Sequence, residues 1–140
     1  MFLRFWTSTW GLGLLDPADE MLDFVLKREN VRPISIFRIR EDFFLCYNEF
    51  GFYVNKVGYR CRGDWTVTWS GAPQSFSYIP PYILAFDPSF VEIRHVETGE
   101  LQQIIPTNNL RTLNVNVDAL HCVVDLSSDF QQVFRLRLIE

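Results

Sequence analysis

FFLCYNEFGFYVNKV, residues Phe43 to Val57, returns 39 positions later as YILAFDPSFVEIRHV, residues Tyr82 to Val96. Leu45 falls on Leu84, Tyr47 on Phe86, Asn48 on Asp87 and Val54 on Ile93. Each copy is an apolar run, a polar turn and a second apolar run, the pattern of a β-hairpin. A weaker third copy starts near Cys122, where CVVD answers LAFD at a spacing of 38 and VFRLRL supplies the return strand. A period near 40 that carries several short strands marks a propeller blade. The expected fold is therefore all-β, a partial β-propeller of about three blades with a short helix near the N-terminus. Blades of about 40–45 residues, at least four to a ring, need more chain than these 140 residues. An incomplete propeller is the expectation, and such modules bind other proteins more often than they do chemistry.

Composition supports that class. The chain is 48% hydrophobic and carries 13 Phe, 5 Tyr and 4 Trp, residues that suit a pleated, half-buried surface. A net charge of −4 and a pI near 5.2 argue against nucleic acid as a partner, because its binders carry a basic stripe. No apolar run reaches the 18 residues of a membrane span. The opening MFLRFWTSTWGLGLL lacks the basic start and small-residue cleavage site of a secretory leader and has Arg4 within it. Cys46, Cys61 and Cys122 are odd in number and form no C-x-x-C pair, which argues against a zinc or redox motif and for reduced thiols in a cytosolic setting.

Residues 1–13 have no partner in the repeat and stay unassigned; the domain is expected over 14–140. Asp16-Pro17-Ala18-Asp19-Glu20 has the acids and the proline of a helix start. Met21, Leu22, Phe24 and Val25 then give an apolar face, so two or three helical turns should end before Asn30. From Ile34 the period is two, with Ile34, Ile36, Phe37 and Ile39 expected inward. The run Phe43–Tyr47 reads as buried on both faces. Asn48-Glu49-Phe50-Gly51 is the expected connection to Phe52–Asn55, and Trp65–Trp69 is the outer strand, with both tryptophans on one face. The next blade reads as 75–79, an extended turn at Pro80-Pro81, Tyr82–Phe86, Phe90–Val96 and Leu101–Ile105. The last reads as Leu110–Val117, Leu120–Asp125 and Val133–Ile139, with Arg135 and Arg137 toward solvent.

Three of these stretches carry a family resemblance. LLDPADEMLDFVLKREN (14–30), FLCYNEFGFYVNKVGYRCRGDWTVTW (44–69) and YILAFDPSFVEIRHVETGELQQIIPTNNLR (82–111) are similar to the C-terminal part of the citron homology (CNH) domain. The likeness is to the version at the C-terminus of fungal guanine-nucleotide exchange factors for Rho-family GTPases. It implies an incomplete seven-bladed propeller, used as a non-catalytic interaction and regulatory module in small-GTPase signalling. The implied partners are proteins, a Rho-family GTPase or cytoskeletal regulators, and the implied location is cytoplasmic, peripheral to the cell cortex. The first four or so blades of the family pattern are missing, and residues 1–10 depart from it. The alternative is therefore a truncated or non-functional fragment of a signalling enzyme, an exchange factor or a kinase carrying the same domain. An open propeller should expose sheet faces and be poorly soluble or oligomeric.

Nothing in the residues points to catalysis, a cofactor or a metal. Asp16, Asp19, Glu20 and Asp23 lack the alternation and glycine of a calcium loop and fit a helix N-terminus. His95 should lie on one strand face with Val91 and Ile93 as a structural histidine, and His121 has no paired acid or nucleophile. No G-x-S-x-G elbow, phosphate loop or H-E-x-x-H motif occurs. Tyr59–Trp65, YRCRGDW, is the candidate contact segment, because Arg60, Arg62 and Trp65 are types enriched at interface hot spots. The same segment also reads as a plain strand connection with solvated arginines and Trp65 packed between blades.

Overall fold

Residues 20–26, 28–113 and 120–137 are described by the computed structural model of the chain, which divides into two compact units, Met1–Thr68 and Trp69–Glu140. Among the described residues it is all-β apart from one short helical stretch. In the first unit a 3-10 turn, Glu20–Leu22, runs into a helix α1, Asp23–Leu26. The proposed helix cap at Asp16 lies outside the described residues. β1 (Pro33–Ile39), β2 (Asp42–Tyr47), β3 (Phe50–Val54) and β4 (Thr66–Thr68) then form an antiparallel meander in the order β1-β2-β3-β4.

Both faces of this sheet are covered, which explains the unbroken apolar run of β2. Leu45, Tyr47, Phe50, Phe52 and Val54 point to one face and pack with Leu22 and Val25 of the helical segment. Phe24 adds ring contacts to Phe50 at 5.2 Å and Phe52 at 5.1 Å. A helix of this length does not form alone in water, so packing holds it. Burying Leu22 and Val25 contributes roughly 1.5–3 kcal/mol each. Phe44 and Tyr53 meet at 4.9 Å, and both are packed edge-on or tilted against Trp65 on the side away from Leu45.

Three expectations are corrected in this unit. Ile36 joins the Leu22 cluster, whereas Ile39, an odd number of residues away, is buried on the opposite face. Phe50 and Gly51 belong to β3, pairing with Thr68 and Val67, so only Asn48 and Glu49 turn the chain. Trp65 precedes β4 and packs on Phe44 and Tyr53, while Trp69 belongs to the second unit and packs on Phe76 at 5.0 Å.

The second unit holds a four-stranded meander, β5 (Ser75–Ile79), β6 (Tyr82–Phe86), β7 (Phe90–His95) and β8 (Leu101–Pro106). Ile79 pairs with Tyr82, so Pro80-Pro81, joined by a cis peptide bond, is a tight two-residue turn rather than an extended one. A three-stranded sheet follows in the order β11-β10-β9, from β9 (Arg111–Thr112), β10 (Leu120–Asp125) and β11 (Gln131–Leu136). The expected strand to Val117 runs into residues 114–119, outside the described set, as do residues 138–140. Leu84, Phe86 and Val91 of one sheet pack with Leu120 and Cys122 of the other and with Leu110, which leads into β9.

The repeated polar position has a repeated job. Asn48, Asp87 and Asp125 stand at or just past the end of the second strand of their sheets. Each ties that corner to the segment leading into its own first strand. Asn48 Oδ1 accepts from the Arg32 N–H at 2.8 Å, and its Nδ2 donates to the Asn30 carbonyl at 3.2 Å. Asp87 accepts from the N–H groups of Ala72 and Ser89, both at 2.8 Å. Asp125 accepts from Asn109 at 3.0 Å, Arg111 at 2.8 Å and Gln131 at 2.9 Å. These donors favour the charged carboxylate and hold Asp125 below its ordinary pKa, those of Asn109 and Gln131 most. In the second sheet the clamp leaves no room at Gly71, where an added Cβ would lie 2.6 Å from both Asp87 Oδ2 and the Phe90 ring.

Candidate functional site

The segment between β3 and β4 is built by one asparagine and three residues of positive φ. As β3 ends, Asn55 Oδ1 accepts from the N–H groups of Val57, Gly58 and Tyr59 at 3.0, 3.1 and 3.1 Å. Gly58 reverses the chain at φ 98°, a conformation open mainly to glycine. The return is sheet-like: the Asn55 N–H donates to Tyr59 O at 2.9 Å, and the Cys61 N–H to Tyr53 O at 3.1 Å. Arg62 and Gly63, at φ 64° and 62°, then turn the chain toward β4.

Arg60 and Arg62 would share a side if the alternation ran on. The positive φ of Arg62 breaks it, and the two guanidinium groups clasp opposite faces of β3. Arg60 lies 4.3 Å over the Phe24 ring and 6.0 Å from that of Phe52. It donates to the Met21 carbonyl at 3.1 Å and to Thr66 Oγ1 at 2.5 Å, pinning the helical segment to the sheet. Arg62 stacks 3.6 Å from the Tyr53 ring centroid and pairs with Asp42 at 3.6 Å. Cys61 lies between them. Burial, then the neighbouring Asp42 carboxylate that accepts its hydrogen bond, push its thiol up to about 11. It is a poor nucleophile at neutral pH.

Arg60, Arg62 and Trp65 are thus brought together around β3, all three half-buried. What the loop offers outward is Val57, 63% exposed, and Tyr59, 43% exposed, with Lys56, Gly63 and Asp64 beside them. Tyr59 opens the contact segment read from the sequence, but that reading singled out Arg60, Arg62 and Trp65 within it and passed over Val57. The Asn55-x-x-Gly58 pattern, an Asx turn followed by a glycine, is the signal that marks Val57 and Tyr59 as a loop tip.

A second polar cluster sits in the other unit. Glu92 is 1% exposed on the face of β7 opposite Val91 and Ile93. It accepts from Ser70 N–H at 2.8 Å, from Ser70 Oγ at 3.1 Å and from Arg94 Nε. Arg94 also donates to Gly99 O at 2.8 Å. A buried carboxylate so fully partnered is a structural ion pair that fixes the β7–β8 corner. His95 packs edge-on against Tyr82 at 5.9 Å and accepts from the Glu97 N–H at 3.2 Å. His121 is exposed on β10. Among the described residues no group of His, Cys, Asp or Glu could hold a metal ion, and no helix is long and apolar enough to cross a membrane.

Comparison with known proteins places these features in a family. Residues 8–116 match the profile of the CNH domain. "Rho1 guanine nucleotide exchange factor 1" of Schizosaccharomyces pombe is 56% identical over 102 residues, 72% of this chain and 8% of that one. "RHO1 GDP-GTP exchange protein 2" of Saccharomyces cerevisiae is 44% identical over 114 residues, 81% of this chain and 8% of that one. The solved "AfRom2 CNH domain" superposes with a TM-score of 0.83 at 42% identity, covering 91% of this chain and 41% of that one. The chain therefore spans about 8% of the length of these curated relatives.

Proposed function

Because the chain belongs to the CNH family, in the form carried by fungal Rho1 exchange factors, we propose that it is a non-catalytic interaction and regulatory module in Rho-family GTPase signalling. The observation that carries this reading is the match to relatives named as Rho1 exchange factors, together with a superposition on a CNH domain that covers most of the chain. We assign residues 14–140 to the blades and leave 1–13 unassigned. The parent polypeptide is then a Rho exchange factor rather than a kinase, and its exchange activity lies outside these residues. Its place is the cytoplasm, at the cell cortex where a Rho GTPase works.

The contact segment in this reading is the loop 55–66. Arg60, Arg62 and Trp65 hold its shape from within, and Val57 and Tyr59 meet the partner. A rigid loop with exposed apolar and aromatic tips loses little entropy on binding, which favours it over a flexible one. Pull-down of Rho-family GTPases in GDP- and GTP-analogue-loaded states tests the reading. Retention of one state, weakened by Tyr59→Ala, is expected. No retention of either state sinks direct GTPase recognition. Sequencing the full transcript tests the parent: Dbl- and pleckstrin-homology coding sequence upstream is expected, and a kinase domain there overturns it.

A further inference from the structure

Each four-stranded sheet ends on an edge strand, and the two edges differ. β4 is three residues long, and brevity is one of the ways proteins keep a sheet edge from pairing. β8, LQQIIP, is six residues long and has no charge in it. Leu101 and Ile104 are each 42% exposed, and Gln102 and Gln103 are exposed between them. An irregularity opposite Ile93 and Arg94 disturbs only its start. Gln103, Ile104 and Ile105 stay in regular register with Ile93, Glu92 and Val91. β8 therefore joins length to uncharged side chains, whereas β4 is short and β1 and β11 each carry an arginine.

A cavity of about 360 Å³ lies beside this edge, on the face that carries Gln103 and Ile105. Its apolar walls include Tyr82, Leu84, Ile93, Ile105 and Leu136. Among the described residues that line it, Arg137 is the charged one, and it is exposed. The volume is at the small end of the roughly 300–1,000 Å³ typical of ligand pockets, and suits a side chain or two better than a cofactor. Strands neighbour at about 4.8 Å and alternate their side chains between faces. A strand added along β8 would thus send every second side chain to the face on which the cavity lies.

We propose that β8 is an acceptor edge for an extended peptide strand. One apolar side chain of the peptide enters the cavity, and an acidic residue beside it meets Arg137. Main-chain pairing supplies the affinity, and the cavity with Arg137 supplies the selectivity, as in other cases of strand addition. This surface stands on observations separate from the loop 55–66 and goes beyond the function proposed above.

The probe is a fluorescein-labelled capped peptide, TLTLTE, whose glutamate shares a face with its leucines, titrated by anisotropy into the full 140-residue chain. Saturable binding is expected, with slowed hydrogen exchange at the amides of 102–105. Methylating alternate peptide nitrogens should weaken it about tenfold for each pairing bond lost. Arg137→Glu should weaken it about fivefold and be rescued by the peptide ending in Lys. Ile105→Trp, which fills the cavity, should abolish binding, and unchanged exchange protection in β6 will show that the sheet is still folded. The proposal is overturned by absence of saturable binding, or by binding indifferent to both N-methylation and Arg137→Glu. It is equally overturned if β8 amides become protected with protein concentration alone, since the occupant is then a second copy.

Discussion

Gly71→Ala is a test in which the sign of the effect decides. Gly71 has no positive φ, so on backbone grounds alanine should stabilise the chain by about 0.4–1 kcal/mol by restricting the unfolded state. The clamp predicts the opposite. The new Cβ would lie 2.6 Å from Asp87 Oδ2 and 2.6 Å from the Phe90 ring, distances at which neighbours must move. Forcing an extra methyl into packed surroundings costs roughly 1–3 kcal/mol. Displacing the half-exposed Asp87 carboxylate from the Ala72 N–H loses about 1 kcal/mol more. The balance is a loss of about 2 kcal/mol, or roughly 30-fold in the opening equilibrium. Native-state hydrogen exchange at the β6 amides, which pair on both sides, reads that change directly. In an Asp87→Ala, Phe90→Ala background the same substitution should be neutral or stabilising. A Gly71→Ala chain as protected as the parent would refute the clamp as a tight contact.

Three further outcomes follow from the same contacts. Arg60→Ala should lower the protection of the 21–26 amides by about 2 kcal/mol, the sum of a cation–π contact and two hydrogen bonds, and Arg60→Lys should not restore it. The Cys61 thiol, pushed up to about 11, should be alkylated slowly at pH 8, and Asp42→Asn should speed it, as mass spectrometry of iodoacetamide-treated protein will show. Asp125 has a depressed folded-state pKa, so its contribution is present above the unfolded value near 3.9 and is lost as pH falls through the lower folded value. A carbon-detected NMR titration of its carboxyl group checks this, and an Asp125 midpoint at or above about 3.9 contradicts it.

Much of the second sheet was legible because turn chemistry and apolar runs agreed there. The strands at 75–79 and 82–86 fall where the pattern put them, and those at 90–95 and 101–106 differ by one residue. The first sheet misled at Gly51, since a glycine beside polar residues reads as a turn. Its partners Cys46 and Val67 are both buried, and a glycine is what fits the strand between them. The segment around Arg60 stood out in composition, but its arrangement did not. Whether an arginine is solvated or laid over a ring depends on Phe24 and Tyr53, which no local pattern links to it. The left-handed turn at Arg62 was equally hidden, because an arginine gives no warning of positive φ. Glu92 was visible as a charge on an alternating strand. Its burial follows only from Ser70 and Arg94 closing over it, which the strand pattern does not show.

The three corner clamps also bear on how the chain reaches this state. They join residues 16, 15 and 16 positions apart, so each sheet closes a loop of nearly the same short length. Closure of loops this size is fast, and local contacts of this kind quicken folding. A ribosome adding about 5–20 residues per second would expose each clamp's two halves within seconds of one another. Sheets can then form one after another in the order of synthesis, each one latched by its own polar corner before the next strand emerges.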